Sequence, residues 1–379
     1  MRLLAVLVAA MFAFGAQAQN SCDDPFDGRN PSFPVSFWPL TDFCQRSVDL
    51  ADIRSGGPPP DGIPPIDEPV FETIERAGEW LADQSPVIAL AVGDEARAYP
   101  LAILMWHEIV NDVFDERPVA VTFCPLCNSS IVFDRTVNGE VLRFGVSGLL
   151  RASDMVMWDD KTQSFWQQFT GEGIVGAYTG TLLDVIPSQV VSFAAFRARY
   201  PQGVVLSRET GRSRDYGSNP YVGYDSSARP FLYGGDVDDT FPALAHVLGY
   251  VASSGAGIAY GLDVLRASGG AINHEFEGEP LLAVWQPGLA SALDAAIIDR
   301  SRDMGMAALF SRELEGQILT FTAAEDGLTD AQTGSTWNVF GQAVAGPLAG
   351  AQLRLLPAGV HFWFAWQAFV PQTAVYAEG

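Results

Sequence analysis

Residues 131–144 read IVFDRTVNGEVLRF and residues 308–321 read ALFSRELEGQILTF, so that Phe, Arg, Gly, Leu and Phe recur at the same steps. The correspondence extends in both directions. Upstream, Arg97-Ala98-Tyr99-Pro100-Leu101 matches Ile258-Ala259-Tyr260-Gly261-Leu262, and Asn111 and Pro118 fall opposite Asn273 and Pro280. Downstream, Thr162-Gln163-Ser164-Phe165-Trp166 matches Thr333-Gly334-Ser335-Thr336-Trp337. Gly176 and Gly180 match Gly346 and Gly350, and 187–201 matches 357–371 without a gap. Several matches in one order imply an internal duplication. The expected organisation is two related halves, 85–201 and 246–371, joined by a Gly/Tyr/Asp-rich connector at 202–245. A Pro/Gly-rich segment at 19–84 precedes them and a short tail at 372–379 follows.

Both halves read alike. Residues 87–92 form a short apolar strand. Ile103, Trp106, Val110 and Val113 recur at helical spacing, which predicts a helix over 101–114. Residues 119–123 are a β-rich run. Strands at 131–133 and 141–144 flank Asn138-Gly139, a strong hairpin signal. Residues 155–158 predict another strand, 192–199 a short closing helix, and the apolar but short 360–370 a buried helix. The expected class is α+β, with short, mostly antiparallel strands and a few short helices.

Arg2, an uncharged apolar run from Leu3 to Ala16 and the small-x-small triplet Ala16-Gln17-Ala18 read as a cleavable export signal over 1–18. The mature chain is then expected to begin at Gln19, in the periplasm or outside the cell. Loss of Arg2, the only charge in that stretch, takes the formal charge from −23 to −24. An acidic chain of this kind argues against binding nucleic acid or an anionic membrane. No segment is long enough to span a bilayer, and nothing specifies an oligomeric state. Cys22 and Cys44 flank a short loop and read as a structural disulfide suited to an exported protein. The nearby Asp23, Asp24 and Asp27 lack a full calcium-ligand series and read as a solvated loop.

The duplication supplies an internal control, because polar residues found in one half only are the better candidates for chemistry. Three features meet that test. Trp106-His107-Glu108-Ile109-Val110-Asn111-Asp112 has a Gly/Ser-rich counterpart with no histidine opposite His107; His274 falls opposite Asp112. Cys124-Pro125-Leu126-Cys127 is opposite Gln286-Pro287-Gly288-Leu289. The stretch 145–155 holds Ser147, Arg151, Asp154 and Met155 and accounts for six extra residues, expected as a functional loop. On a helix, His107 and Asn111 would share a face, as would Glu108 and Asp112. The second histidine of a zincin is missing.

A CxxC pair can chelate a soft or borderline metal, cycle between dithiol and disulfide, or form a permanent bridge. Three readings follow. The first is a metal site of His107, Cys124 and Cys127, with copper ahead of zinc because Met155 adds a thioether on a strand face shared with Met157. The second is a thiol–disulfide or cysteine-nucleophile enzyme, in which Cys124 attacks, His107 or Glu108 serves as base and Cys127 resolves. The third is a non-enzymatic scaffold with CPLC oxidised. Ser147, Arg151 and Asp154 either bind an anionic small molecule or order their loop. His246, His274 and His361 read as structural.

The stretches WHEIVND (106–112), VTFCPLCNSSIVFDR (121–135), FGVSGLL (144–150) and SDMVMWDDKTQSFW (153–166) resemble the domain-of-unknown-function 3179 family of exported bacterial and archaeal proteins. So do the connector residues 214–221 and the closing TGSTW and FWFAW stretches. That resemblance implies no established activity or cofactor. The strand running into CPLC is also similar to thioredoxin-like and copper-chaperone proteins. There, however, the CxxC opens a helix, whereas 129–135 here reads as a strand.

Overall fold

A computed structural model of the chain describes residues 22, 24–92, 95–324 and 327–377. The expected signal and its cleavage site lie outside the described residues. The fold is built mostly from short antiparallel strands with few short helices. None of the described helices is long and apolar enough to cross a membrane.

Three sheets carry the first part of the chain. In one, Pro86–Val92 pairs with Glu95–Pro100 and Gln189–Ser192, and Val204–Leu206 adds in parallel beside Glu95–Pro100. In the next, Arg117–Cys124 lies between Ile109–Phe114 and Ser129–Asp134. In the third, Phe144–Arg151, Asp154–Asp159, Phe165–Gln167 and Gly173–Val175 follow in order. Three further sheets have the same internal order. They are Gly359–Phe362, His246–Val251, Gly257–Gly261 and Ala374–Val375; Ala271–Phe276, Glu279–Gln286 and Met306–Ser311; and Phe321–Ala324, Gly327–Asp330, Thr336–Trp337 and Ala343–Ala345. The N-terminal segment is woven in rather than separate. Ile53–Ser55 pairs with Phe144–Arg151, Phe71–Thr73 pairs with Val204–Leu206, and Cys22 is disulfide-bonded to Cys44.

The matched residues of the sequence serve the fold. Asn111 bridges strands by donating Nδ2 to Phe144 O (2.8 Å) and accepting from Phe144 N (3.0 Å); Asn273 does the same with Phe321 at 2.7 and 2.8 Å. Buried Asp159 accepts from Thr162 N and Trp166 Nε1, and buried Asp330 from Thr333 N and Trp337 Nε1. Gly176 and Gly346 both have positive φ and press on Ser164 and Ser335, where a Cβ would lie 3.0 and 2.7 Å from the serine Cα. Tyr99 donates to Asp112 and Tyr260 pairs with His274, so His274 is structural.

Two expectations are corrected. The helix predicted over 101–114 is Leu101–His107 only, and Ile109–Phe114 is a strand. Ile109, Val110, Val113 and Phe114 prefer a pleated surface, and strand pairing overrides their helical spacing. The pairs His107/Asn111 and Glu108/Asp112 therefore share no helix face; Asp112 is held by Arg97 at 2.6 Å and Tyr99 at 2.6 Å. The six extra residues do not make a loop. They lengthen a hairpin, whose strands run to eight and six residues against four and four in the counterpart. Residues 360–370 likewise divide into the end of a strand and the buried helix Trp363–Phe369.

Among the described residues the apolar core falls into four clusters, two of which join residues far apart in the chain. One cluster joins Val121, Val132 and Phe144 to Phe362, Trp363 and Trp366, and a second joins Phe193 and Phe196 to Phe310 and Trp337. Replacing Asp159 or Asp330 by Ala strands several buried donors at equivalent places. Each substitution is expected to lower stability by about 3 kcal/mol, read as a reduced urea midpoint. Equal midpoints for wild type and either variant would contradict these roles.

Candidate functional site

Cys124 ends its strand, and Pro125–Cys127 forms one 3-10 turn closed by Asn128 in the left-handed region (φ 49°). That turn reverses the chain so that Ser129 pairs back with Cys124. It brings both thiols to the same side as Asp154, the first residue of the neighbouring hairpin's second strand. The two Sγ atoms and a carboxylate oxygen of Asp154 lie within 4.8 Å of one another, and all three residues are buried. Cys124 and Cys127 are free thiols.

Asp154 is half satisfied. Its Oδ2 accepts from Gln167 Nε2 at 2.7 Å and from Phe169 N at 2.9 Å. Its Oδ1 has no partner among the described residues other than the two thiols it faces. Burial pushes the Asp154 carboxyl up to about 6, held back by hydrogen bonds from Gln167, Phe169 and the thiols of Cys124 and Cys127. Burial also raises the Cys124 thiol and raises Cys127 well above the usual thiol range.

Glu108 completes the acidic group. It caps the helix with φ 58° and ψ −32°, a conformation rare for a residue with a Cβ. Its N–H bonds Leu104 O and its carbonyl accepts from Phe123 N, which fixes that turn. Its side chain is 7 % exposed and makes no hydrogen bond among the described residues. Burial pushes its carboxyl up to about 8, with Asp154 adding to the effect. Glu108, Asp154, Cys124 and Cys127 thus form a buried set of acids, and no ion pair among the described residues reaches any of them.

The set lies beside a cavity of about 700 Å³, which it reaches through Glu108 rather than through the cysteines or Asp154. Glu108 lines it, as do Leu126 between the cysteines and Met155 after Asp154. Ile63, Leu149, Leu150 and the connector residues Tyr221, Tyr224 and Phe231 complete much of the wall. Tyr224 is anchored by donating to Leu126 O at 3.1 Å. The Met155 thioether is buried at the wall.

The other expected site residues are placed elsewhere. His107 does not join the thiols. Its Nδ1 donates to Pro64 O at 2.6 Å, which leaves Nε2 to accept from the Tyr216 hydroxyl at 2.6 Å. It ties the N-terminal segment and the connector to the end of the helix, and burial lowers its basicity. The Ser147 hydroxyl donates to Val156 O and accepts from Leu149 N. Arg151 bonds Gln167 Oε1 at 3.3 Å. With Asp154 facing the thiols, these three do not converge on an anion. His361 is buried and His246 partly buried, and loss of solvent pushes their imidazoles down to about 3 and about 4.

Gln167, Tyr216, Tyr221 and Tyr224 were missed in the sequence as site residues. Gln167 had a signal, because it follows the shared Trp166 where the second half has Asn338. The tyrosines lie in the connector, which has no counterpart to compare. No curated protein and no solved structure matches the chain. A family model described as "Protein of unknown function (DUF3179)" matches residues 60–373, most of the chain, and the protein therefore belongs to that family.

Proposed function

We propose that Cys124, Cys127 and Asp154 hold a single thiophilic divalent cation, with zinc preferred, in a three-ligand centre beside the cavity. The observation that carries this reading is the buried convergence of two thiols on the Asp154 carboxylate, whose Oδ1 has no partner but those thiols, with no ion pair to any of the three among the described residues. A buried polar group without a partner is costly, and a buried anion more so. A metal ion would satisfy all three at once. Tetrahedral zinc with two Zn–S bonds of about 2.3 Å sets its sulfurs ~3.8 Å apart, inside the observed spread. Met155 put copper first in the sequence, but a carboxylate in the donor set favours zinc over copper(I). Three protein ligands leave a fourth position open, as in catalytic rather than structural zinc sites. Glu108 is then the nearby group able to exchange a proton with whatever occupies it.

The thiol-exchange reading has less support. His107 has both ring nitrogens engaged, and burial without a cation disfavours the thiolate that exchange requires. The chain is further read as exported, on the signal pattern at 1–18 and the Cys22–Cys44 bridge. Internal duplication of 85–201 and 246–371 is supported by the common sheet order and by reciprocal packing. Ser129–Asp134 lies against Gly359–Phe362, while its counterpart Met306–Ser311 lies against Gln189–Ser192. That exchange is the signature of a two-fold relation between equivalent units.

Elemental analysis of zinc-loaded, desalted protein is expected to find one zinc per chain. Cys124→Ser and Asp154→Asn should each weaken retention at least about tenfold, as loss of a ligand does, while His107→Gln keeps one zinc. Equal zinc in wild type and Cys124→Ser would sink the reading. Affinity should rise with pH, because binding displaces protons that burial holds on the thiols.

Metal-free protein should show a distinct pH signature. Folding raises Glu108 from 4.5 to about 8, so its stabilising protonation is fully present below about 4.5 and lost as pH rises through about 8. Urea midpoints should fall between pH 5 and pH 8, and Glu108→Gln should reduce that fall. An unchanged pH dependence in Glu108→Gln would show that its carboxyl is not buried as described.

A further inference from the structure

The cavity beside the cysteines has a chemical character that narrows its occupant. Its wall is apolar over Ile63, Leu126, Leu149, Leu150, Met155 and Phe231, and no lysine or arginine lines it. Among the described residues the only carboxyl in the lining is Glu108, nine-tenths buried and without a side-chain hydrogen bond there. Its volume, about 700 Å³, lies within the usual range for small-molecule sites. At the mouth, Val222 and Phe231 are about half exposed at 59 % and 50 %, so an apolar ligand reaching outward would cover surface that water now meets.

We propose that this cavity binds a neutral, largely apolar small molecule carrying a carbonyl or hydroxyl oxygen at one end, with that oxygen seated at Glu108 and the apolar body along the Ile63–Phe231 wall. The Glu108 carboxyl is the acidic anchor of this largely apolar chamber, with Tyr221, Tyr224 and Ser227 as the other polar side chains of the lining. Phosphates and carboxylates are disfavoured along this wall, because Glu108 faces it without an answering lysine or arginine among the described lining residues, and Cys124, Cys127 and Asp154, which would hold the cation, are not among them. A polar ligand such as a sugar would leave most of its hydroxyls against carbon. The inference deepens the metal-centre reading by naming the substrate class of that site, but the binding surface is made by the protein alone.

The experiment uses purified protein in two forms, zinc-loaded and chelator-treated, with the neutral fluorophore N-phenyl-1-naphthylamine as the probe. Saturable binding at about one probe per chain is expected in both forms. 2-Decanone should displace the probe at least about tenfold more effectively than decanoate, a difference of about 1.4 kcal/mol. Glu108→Leu should erase most of that preference by weakening the ketone. Ile63→Trp, which fills the chamber, should abolish probe binding while the circular dichroism spectrum and Tm stay as in wild type. If Ile63→Trp fails to fold, Leu150→Trp at another point on the wall serves the same purpose. Absence of saturable binding in both forms, equal displacement by ketone and decanoate, or unchanged binding in a folded cavity-filling variant would each overturn the proposal. Zinc content measured on the same samples keeps the two ideas apart: zinc retained without probe binding rejects the ligand class, and probe binding without zinc retention rejects the metal centre.

Discussion

Four buried acidic groups without a cation are the constraint around which this site is arranged. Glu108, Cys124, Cys127 and Asp154 are neighbours in the interior, and burial is the largest cause of the raised proton affinity of each. Folding would ordinarily remove such a cluster, since each buried charge costs several kcal/mol unless it is compensated. Here the fold holds it in place. A left-handed cap positions Glu108, a 3-10 turn positions the cysteines, and two hydrogen bonds fix one oxygen of Asp154 while leaving the other free. The proposed cation, held by the thiols and the Asp154 oxygen that faces them, would turn the cluster from a liability into a ligand set.

On the proposed duplication, the surrounding architecture explains why the candidate site falls in 85–201 and not in 246–371. Residues common to both halves do fold-level work: Asn111 and Asn273 close strand ends, and Asp159 and Asp330 gather the same donors. In the second half Gln286 and Leu289 stand where the first has its thiols, and the hairpin that delivers Asp154 is shorter. The connector then adds what neither half supplies, packing Tyr221, Tyr224 and Phe231 over the cavity. His107 binds these pieces together through Pro64 and Tyr216. Its mark in the sequence is that of a site residue, yet its geometry is that of a brace.

Much of the strand framework was legible because alternation, Asn138-Gly139 and β-rich runs are local signals. The antiparallel, short-helix character followed from them. The helix over 101–114 was misread because its apolar spacing fits two periods at once, and the decision between them is made by pairing with Arg117–Cys124, a non-local partner. The site was legible in part. Cys124, Cys127, Glu108 and Asp154 were all singled out by their absence from the second half, but the third ligand was assigned to His107 by residue type. Only the course of the hairpin that carries Asp154 to the cysteines, with His107 held by Pro64 and Tyr216, shows that a carboxylate rather than the imidazole meets the thiols. Pairing across a cavity wall from an unduplicated connector leaves no periodic trace, so its tyrosines could not be found in advance.

The most direct test of the metal centre is zinc K-edge X-ray absorption on the zinc-loaded protein in solution. A Cys124, Cys127 and Asp154 ligand set predicts two sulfur scatterers at about 2.3 Å, with the remaining shell made of oxygen or nitrogen at about 2.0–2.2 Å and no outer-shell imidazole scattering. A first shell without sulfur, or one with the multiple scattering of a histidine ring, would contradict it.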